Sequence, residues 1–92
     1  MDNVSFEQAL QAKLDTDPNF RRTLSGRRLM RVMNAPVGRK ERVLLRMEEH
    51  SRVHLGMKAT GEVNWSAPAI NWTDLLAFLV KILPIIMAMF GL

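Results

Sequence analysis

From Leu75 to Leu92 every position is apolar or glycine except Lys81 and Pro84, and no feature constrains this chain more. A helix of that length rises about 27 Å, close to the roughly 30 Å hydrocarbon core of a bilayer. None of its sides is polar, so it is not expected to lie half-wet on a small domain. Lipid, a bundle of copies or a larger partner would have to hide it. The anchor residues are Leu75, Leu76, Phe78, Leu79, Ile82, Leu83, Ile85, Ile86 and Phe90. On an insertion scale the Leu, Ile, Phe and Val residues of the stretch are together worth roughly −3 to −7 kcal/mol, against about 2.5–3.5 for Lys81. Lys81 lies about 9 Å along the axis from Leu75, near enough for its amine to reach a headgroup. Pro84 removes the hydrogen bond to the Val80 carbonyl and is expected to kink the helix, which membrane helices tolerate.

Ahead of this tail and its approach there are about 56 residues, mostly charged or polar, which is marginal for independent folding. A membrane, a partner or further copies are therefore expected to stabilise the chain. There is no cysteine, so disulfides and thiolate metal sites are excluded. The opening MDNVSFEQAL carries acids and no apolar core, unlike a secretory signal or a transit peptide. With the anchor last in the sequence, a tail-anchored topology with a cytosolic head is expected.

The net charge of +4 hides a segregation: residues 1–20 carry −3, residues 21–58 carry +8 and residues 59–92 carry −1. The anion-contacting candidates are Arg21, Arg22, Arg27, Arg28, Arg31, Arg39, Lys40, Arg42 and Arg46. Arginine predominates among them, which favours bidentate contact with phosphate or carboxylate. An anionic lipid surface or an acidic protein surface is the expected partner, and nucleic acid is a further possibility. No aromatic residue is interleaved for base stacking, and Pro36 stands in the turn where a helix-turn-helix would need to close.

Local signals place three helices before the tail. Ser5 and Gln8 have the capping-box spacing, and Phe6, Leu10 and Leu14 repeat every four residues, predicting a helix over 5–15. Pro18 breaks it. A second helix is expected over 21–34, beginning near Ser25, with its start weakened by Gly26. A third over 38–55 carries Val43, Leu44, Met47, Ser51, His54 and Leu55 on one face and Arg42, Arg46, Glu49 and Arg52 on the other. Arg46–Glu49 and Glu48–Arg52 are its expected ion pairs, and Gly56 is its stop.

Between the helices lies a repeat, Val63-Asn64-Trp65-Ser66 and Ile70-Asn71-Trp72-Thr73. Its two Asn–Trp pairs read as docking units for a partner better than as glycosylation acceptors. Trp65, Trp72 and Lys81 are expected at a membrane–water or subunit interface. Asn71 or Thr73 can cap the last helix, with Asp74 in its first turn. His50 and His54 have metal-binding spacing but lack a third ligand beyond Glu49 or Glu62, so no metal or other cofactor is expected. Without a cysteine nucleophile, a tyrosine or a phosphate-cradling loop, no enzymatic activity is expected either.

The expected fold is all-α: a basic helical head over 1–56, a linker over 57–72 and a kinked apolar helix over 73–92. The expected role is a membrane-anchored structural or adaptor subunit, homo-oligomeric and without a small-molecule substrate. The alternatives are a soluble subunit of a large assembly, such as a virus particle, with the tail helix in a protein groove, or a nucleic-acid-binding head.

Overall fold

The structure, a computed structural model, describes residues 3–58 and 60–92. Among them the fold is all-α, with α1 (Phe6–Thr16), α2 (Pro18–Arg22), α3 (Leu24–Met33), α4 (Val37–His54) and α5 (Trp72–Met89). The radius of gyration is 12.5 Å, which matches a compact chain of this length, so α5 does not stand away from the rest.

The capping box forms: Ser5 Oγ accepts from the Gln8 amide at 3.1 Å and Gln8 Oε1 accepts from the Ser5 amide at 2.9 Å. The stripe of Phe6, Ala9, Leu10 and Leu14 is buried, as the four-residue repeat requires. The break at Pro18 is short. Asp17 caps a new turn by accepting from the Phe20 amide at 3.0 Å, with Pro18 in the first helical position where its missing N–H costs nothing.

Within the stretch 21–34, α3 begins at Leu24, one residue from the start expected near Ser25. Thr23, which is extended (φ −72°, ψ 160°), splits it from α2 and caps it, its hydroxyl accepting from the Gly26 amide at 3.0 Å. Gly26 is the reason the split can close. A Cβ there would sit 1.9 Å from the Phe20 carbonyl oxygen and 2.9 Å from Arg21 Cα, both backbone atoms. The expected weak start of a helix is thus the contact that lets α2 fold onto α3. Gly26→Ala should destabilise by about 1–3 kcal/mol, lowering Tm by at least about 4 °C. Gly38→Ala, with nothing within 4 Å of the new Cβ, should leave Tm unchanged or raise it. Thermal denaturation of the two variants side by side checks the contrast.

Both long helices end on a glycine in the left-handed region. After α4, Gly56 (φ +70°) lets its own amide reach Val53 O at 3.0 Å and the Met57 amide reach Arg52 O at 2.8 Å. After α5, Gly91 (φ +71°) does the same, with the Leu92 amide on Met87 O at 2.9 Å. This Schellman closure satisfies carbonyls that would otherwise lack partners. At the other end of α5, Asn71 is the cap, its side chain accepting from the Asp74 amide at 3.1 Å. The helix continues through Pro84.

α4 and α5 pack antiparallel: His54 meets Asp74 and Phe78 at one end, and Phe90 lies beside Arg42 and Arg46 at the other. α5 presents Leu75, Leu79, Leu83, Ile86 and Met87 to the core formed with α3 and α4. This corrects the expectation that the tail must be hidden by something other than its own head. The helices before α5 supply enough apolar surface to cover one face of it, and the chain covers that face itself.

Candidate interaction surface

The other face of α5 is not covered. Ile85 is 64 % exposed, Met89 57 % and Val80 36 %, and Ala77, Lys81 and Ala88 lie outward with them. By length and composition, one helix among the described residues, Trp72–Met89, is long and apolar enough to cross a membrane, with a mean hydropathy of 1.8 over 18 residues. Of the anchor residues named from sequence, Leu75, Leu79, Leu83 and Ile86 point into the bundle. Leu76, Phe78, Ile82 and Phe90 are half-buried at its margins, and only Ile85 stands fully outward. Lys81 is exposed on the outward face, so its ammonium group stays in water while the bundle is closed.

The basic residues divide into spent and free groups. Arg21 turns back on α1, with Nη1 donating to Leu14 O at 2.7 Å and Asp15 O at 3.3 Å, where it satisfies carbonyls at the helix end. Lys40 pairs with Glu7 at 3.2 Å. Arg28 is half-buried, while Arg22, Arg27, Arg31, Arg39, Arg42 and Arg46 are exposed. Arg27 and Arg31 share the outer edge of α3. Arg42 and Arg46 flank a hollow of about 230 Å³ with Leu45, Glu49 and Phe90, beside the C-terminal end of α5. The expected Glu48–Arg52 pair is present at 3.6 Å; among the described residues no Arg46–Glu49 pair accompanies it.

The repeat grips this chain's own helices. Trp65 is 1 % exposed, its indole N–H donating to Glu48 Oε2 at 2.8 Å and its backbone amide to Val4 O at 3.0 Å. Trp72 donates to Trp65 O at 2.8 Å and is half-buried, with the Lys13 ammonium 5.5 Å from its ring centre. Phe6 completes the cluster, edge-on to Trp65 at 4.9 Å. Trp65 is thus a core residue and not the interfacial residue expected, because α1 and α4 offer it both an apolar slot and a carboxylate partner. Asn64 Oδ1 accepts from the Val4 and Ser66 amides, so the first Asn pins the loop as the second caps a helix. The segment that joins α4 to α5 accordingly lies on the bundle.

Two functional-looking contacts had no sequence signal of their own. His54 Nε2 lies 2.8 Å from Asp74 Oδ2, and its ring stacks on Phe78 at 4.1 Å, tying the end of α4 to the start of α5. A groove of about 470 Å³ opens between the start of α1, α4 and residues 61–65, with Val4, Leu44, Leu45 and Val63 in its apolar lining. Glu7, Glu41, Glu48 and Glu62 also line it. Compared with family models, with curated proteins and with solved structures, the chain finds no match in any of the three.

Proposed function

We propose that this protein is a small, non-enzymatic structural or adaptor subunit that attaches to an anionic membrane surface through the outward face of α5. The observation that carries this reading is the uncovered stripe of Val80, Ile85 and Met89, with Lys81 beside it and Arg42 and Arg46 at its end. Burying a large apolar side chain is worth about 1.5–3 kcal/mol, and each Lys or Arg near an anionic leaflet adds about 1 kcal/mol. Several such residues on one face give reversible attachment with the bundle closed. A cytosolic head and a spanning α5 are the deeper form of the same reading; spanning would require lipid to replace α3 and α4 against Leu75, Leu79 and Leu83.

Flotation with vesicles tests it. Wild-type protein should float with an equal mixture of phosphatidylcholine and phosphatidylglycerol, less with phosphatidylcholine alone, and less again in high salt. The double variant Ile85→Glu/Met89→Glu changes only outward positions, so it should stay folded and bind at least about tenfold more weakly. Equal flotation of the variant, or none by the wild type, would defeat the proposal. Release by alkaline carbonate would mark surface seating, and resistance would mark spanning.

A second reading has its own support. Because the chain satisfies the inner face of α5, the outer face needs only a shallow apolar groove, which another protein in an assembly can provide. A wild-type protein that ignores vesicles but enters a lipid-free complex through Ile85 and Met89 would establish it.

A further inference from the structure

The acidic groove runs against the charge of the chain that carries it. Four carboxylates converge on one concavity of a protein with net charge +4. Two are engaged internally, Glu7 by Lys40 at 3.2 Å and Glu48 by the Trp65 indole and by Arg52 at 3.6 Å. Arg52 is a cation that also lines the groove, and its other donors are taken by the Lys58 and Gly61 carbonyls. Among the described residues, Glu62 accepts from the Asn3 amide group at 3.2 Å and has no ion-pair partner, and Glu41 has none either. The floor between them is apolar, and Leu45 at its edge is 59 % exposed. A volume of about 470 Å³ falls in the range of sites that seat several side chains. The chemistry that fits is an aliphatic side chain flanked by cations.

The same molecule displays that chemistry elsewhere. On the outer edge of α3, Leu24 is 62 % exposed, and Arg27 and Arg31 follow it at i+3 and i+7 on the same exposed side. No residue of α3 lines the groove, so one copy can offer its edge and its groove at once. We propose that copies of this chain associate head to tail, the Leu24–Arg27–Arg31 edge of one copy seating in the groove of the next. Leu24 covers the apolar floor while the arginines meet Glu41 and Glu62. Because the two surfaces differ, the contact is heterologous: it propagates into a ring or an open chain and does not stop at a dimer. Every subunit in such an array carries its own α5 face, so the array would present many weak attachment points together.

The test is done without lipid, so it stands or falls separately from membrane attachment. Sedimentation velocity of wild-type protein up to about 1 mM should show species growing past the dimer with concentration and shrinking with salt. Glu41→Lys/Glu62→Lys, which disables the groove, and Arg27→Glu/Arg31→Glu, which disables the edge, should each weaken association at least about tenfold. Leu24→Asp, a second edge variant at an exposed position, should do the same, and circular dichroism confirms that each is folded. Mixing the groove variant with Leu24→Asp leaves one intact edge and one intact groove, and the retained Arg27 and Arg31 repel the lysine-bearing groove, so dimers and nothing larger should return. A monomeric wild type would overturn the proposal and leave the groove to a basic segment of another protein. Variants that associate like the wild type, or a mixture that fails to pair, would overturn it equally.

Discussion

Deleting residues 72–92 should leave a chain with no cooperative unfolding transition. Of the fifteen buried apolar residues among those described, α5 supplies five: Leu75, Leu79, Leu83, Ile86 and Met87. At about 1.5–3 kcal/mol for each large side chain, their burial is worth roughly 8–15 kcal/mol. A chain of this size has a net stability of about 5–14 kcal/mol. The loss is therefore as large as the whole, before counting Leu29 and Met47, which would lose their cover. Thermal and urea denaturation followed by far-ultraviolet circular dichroism reads the outcome directly. A tail that served only as an anchor would leave residues 1–71 with a sharp transition of their own. That result would remove α5 from the core and return it to the solvent side of the bundle.

The same helix explains how far the sequence could be read. Wherever a structure is fixed by hydrogen bonds or side-chain spacing within a turn or so of the chain, the signal is in the letters. The Ser5–Gln8 box, the Phe6–Leu10–Leu14 stripe, the Asn71 cap and the Gly56 stop are all of this kind. α4 was legible to within a residue for the same reason, since its apolar period is long and regular. The Thr23 cap is also local, a threonine three residues before the amide it caps, and the start expected near Ser25 lies one residue from it; the turn of α2 just ahead was not read.

What could not be read depends on which distant segments meet. Gly26 carries an intrinsic cost in a helix, and only the approach of the Phe20 carbonyl turns that cost into a requirement. Arg21 and Lys40 resemble the other basic residues in composition, yet each is taken up by a partner from α1. The tail was the hardest case. A helix apolar on all sides does not announce which side the chain itself will cover, and here packing chose the Leu75–Leu79–Leu83 side. The outward stripe of Val80, Ile85 and Met89 is what remains after that choice. The basic residues likewise resolve into two separate surfaces, the α3 edge and the Arg42–Arg46 pair, only once the helices are packed.

Trp65→Ala should be the most damaging single substitution, lowering stability by about 3–5 kcal/mol and Tm by roughly 12–40 °C. The residue joins three parts of the chain: its indole packs edge-on to Phe6 of α1 and against Trp72 at the start of α5, its indole N–H reaches Glu48 of α4, and its backbone carbonyl accepts from the Trp72 indole. Removing the ring opens a cavity and leaves the Glu48 carboxylate without its indole donor in a partly buried position. Trp65→Phe restores most of the apolar contact but not the donor, so it should fall between the alanine variant and the wild type. Trp72→Ala, at a half-buried site, should cost less than Trp65→Ala. Thermal melts in lipid-free buffer separate this from an interfacial role. A tryptophan that sets depth in a bilayer would change vesicle binding while leaving the melting curve in buffer where it was, whereas a residue that closes the core moves that curve whether or not a membrane is present.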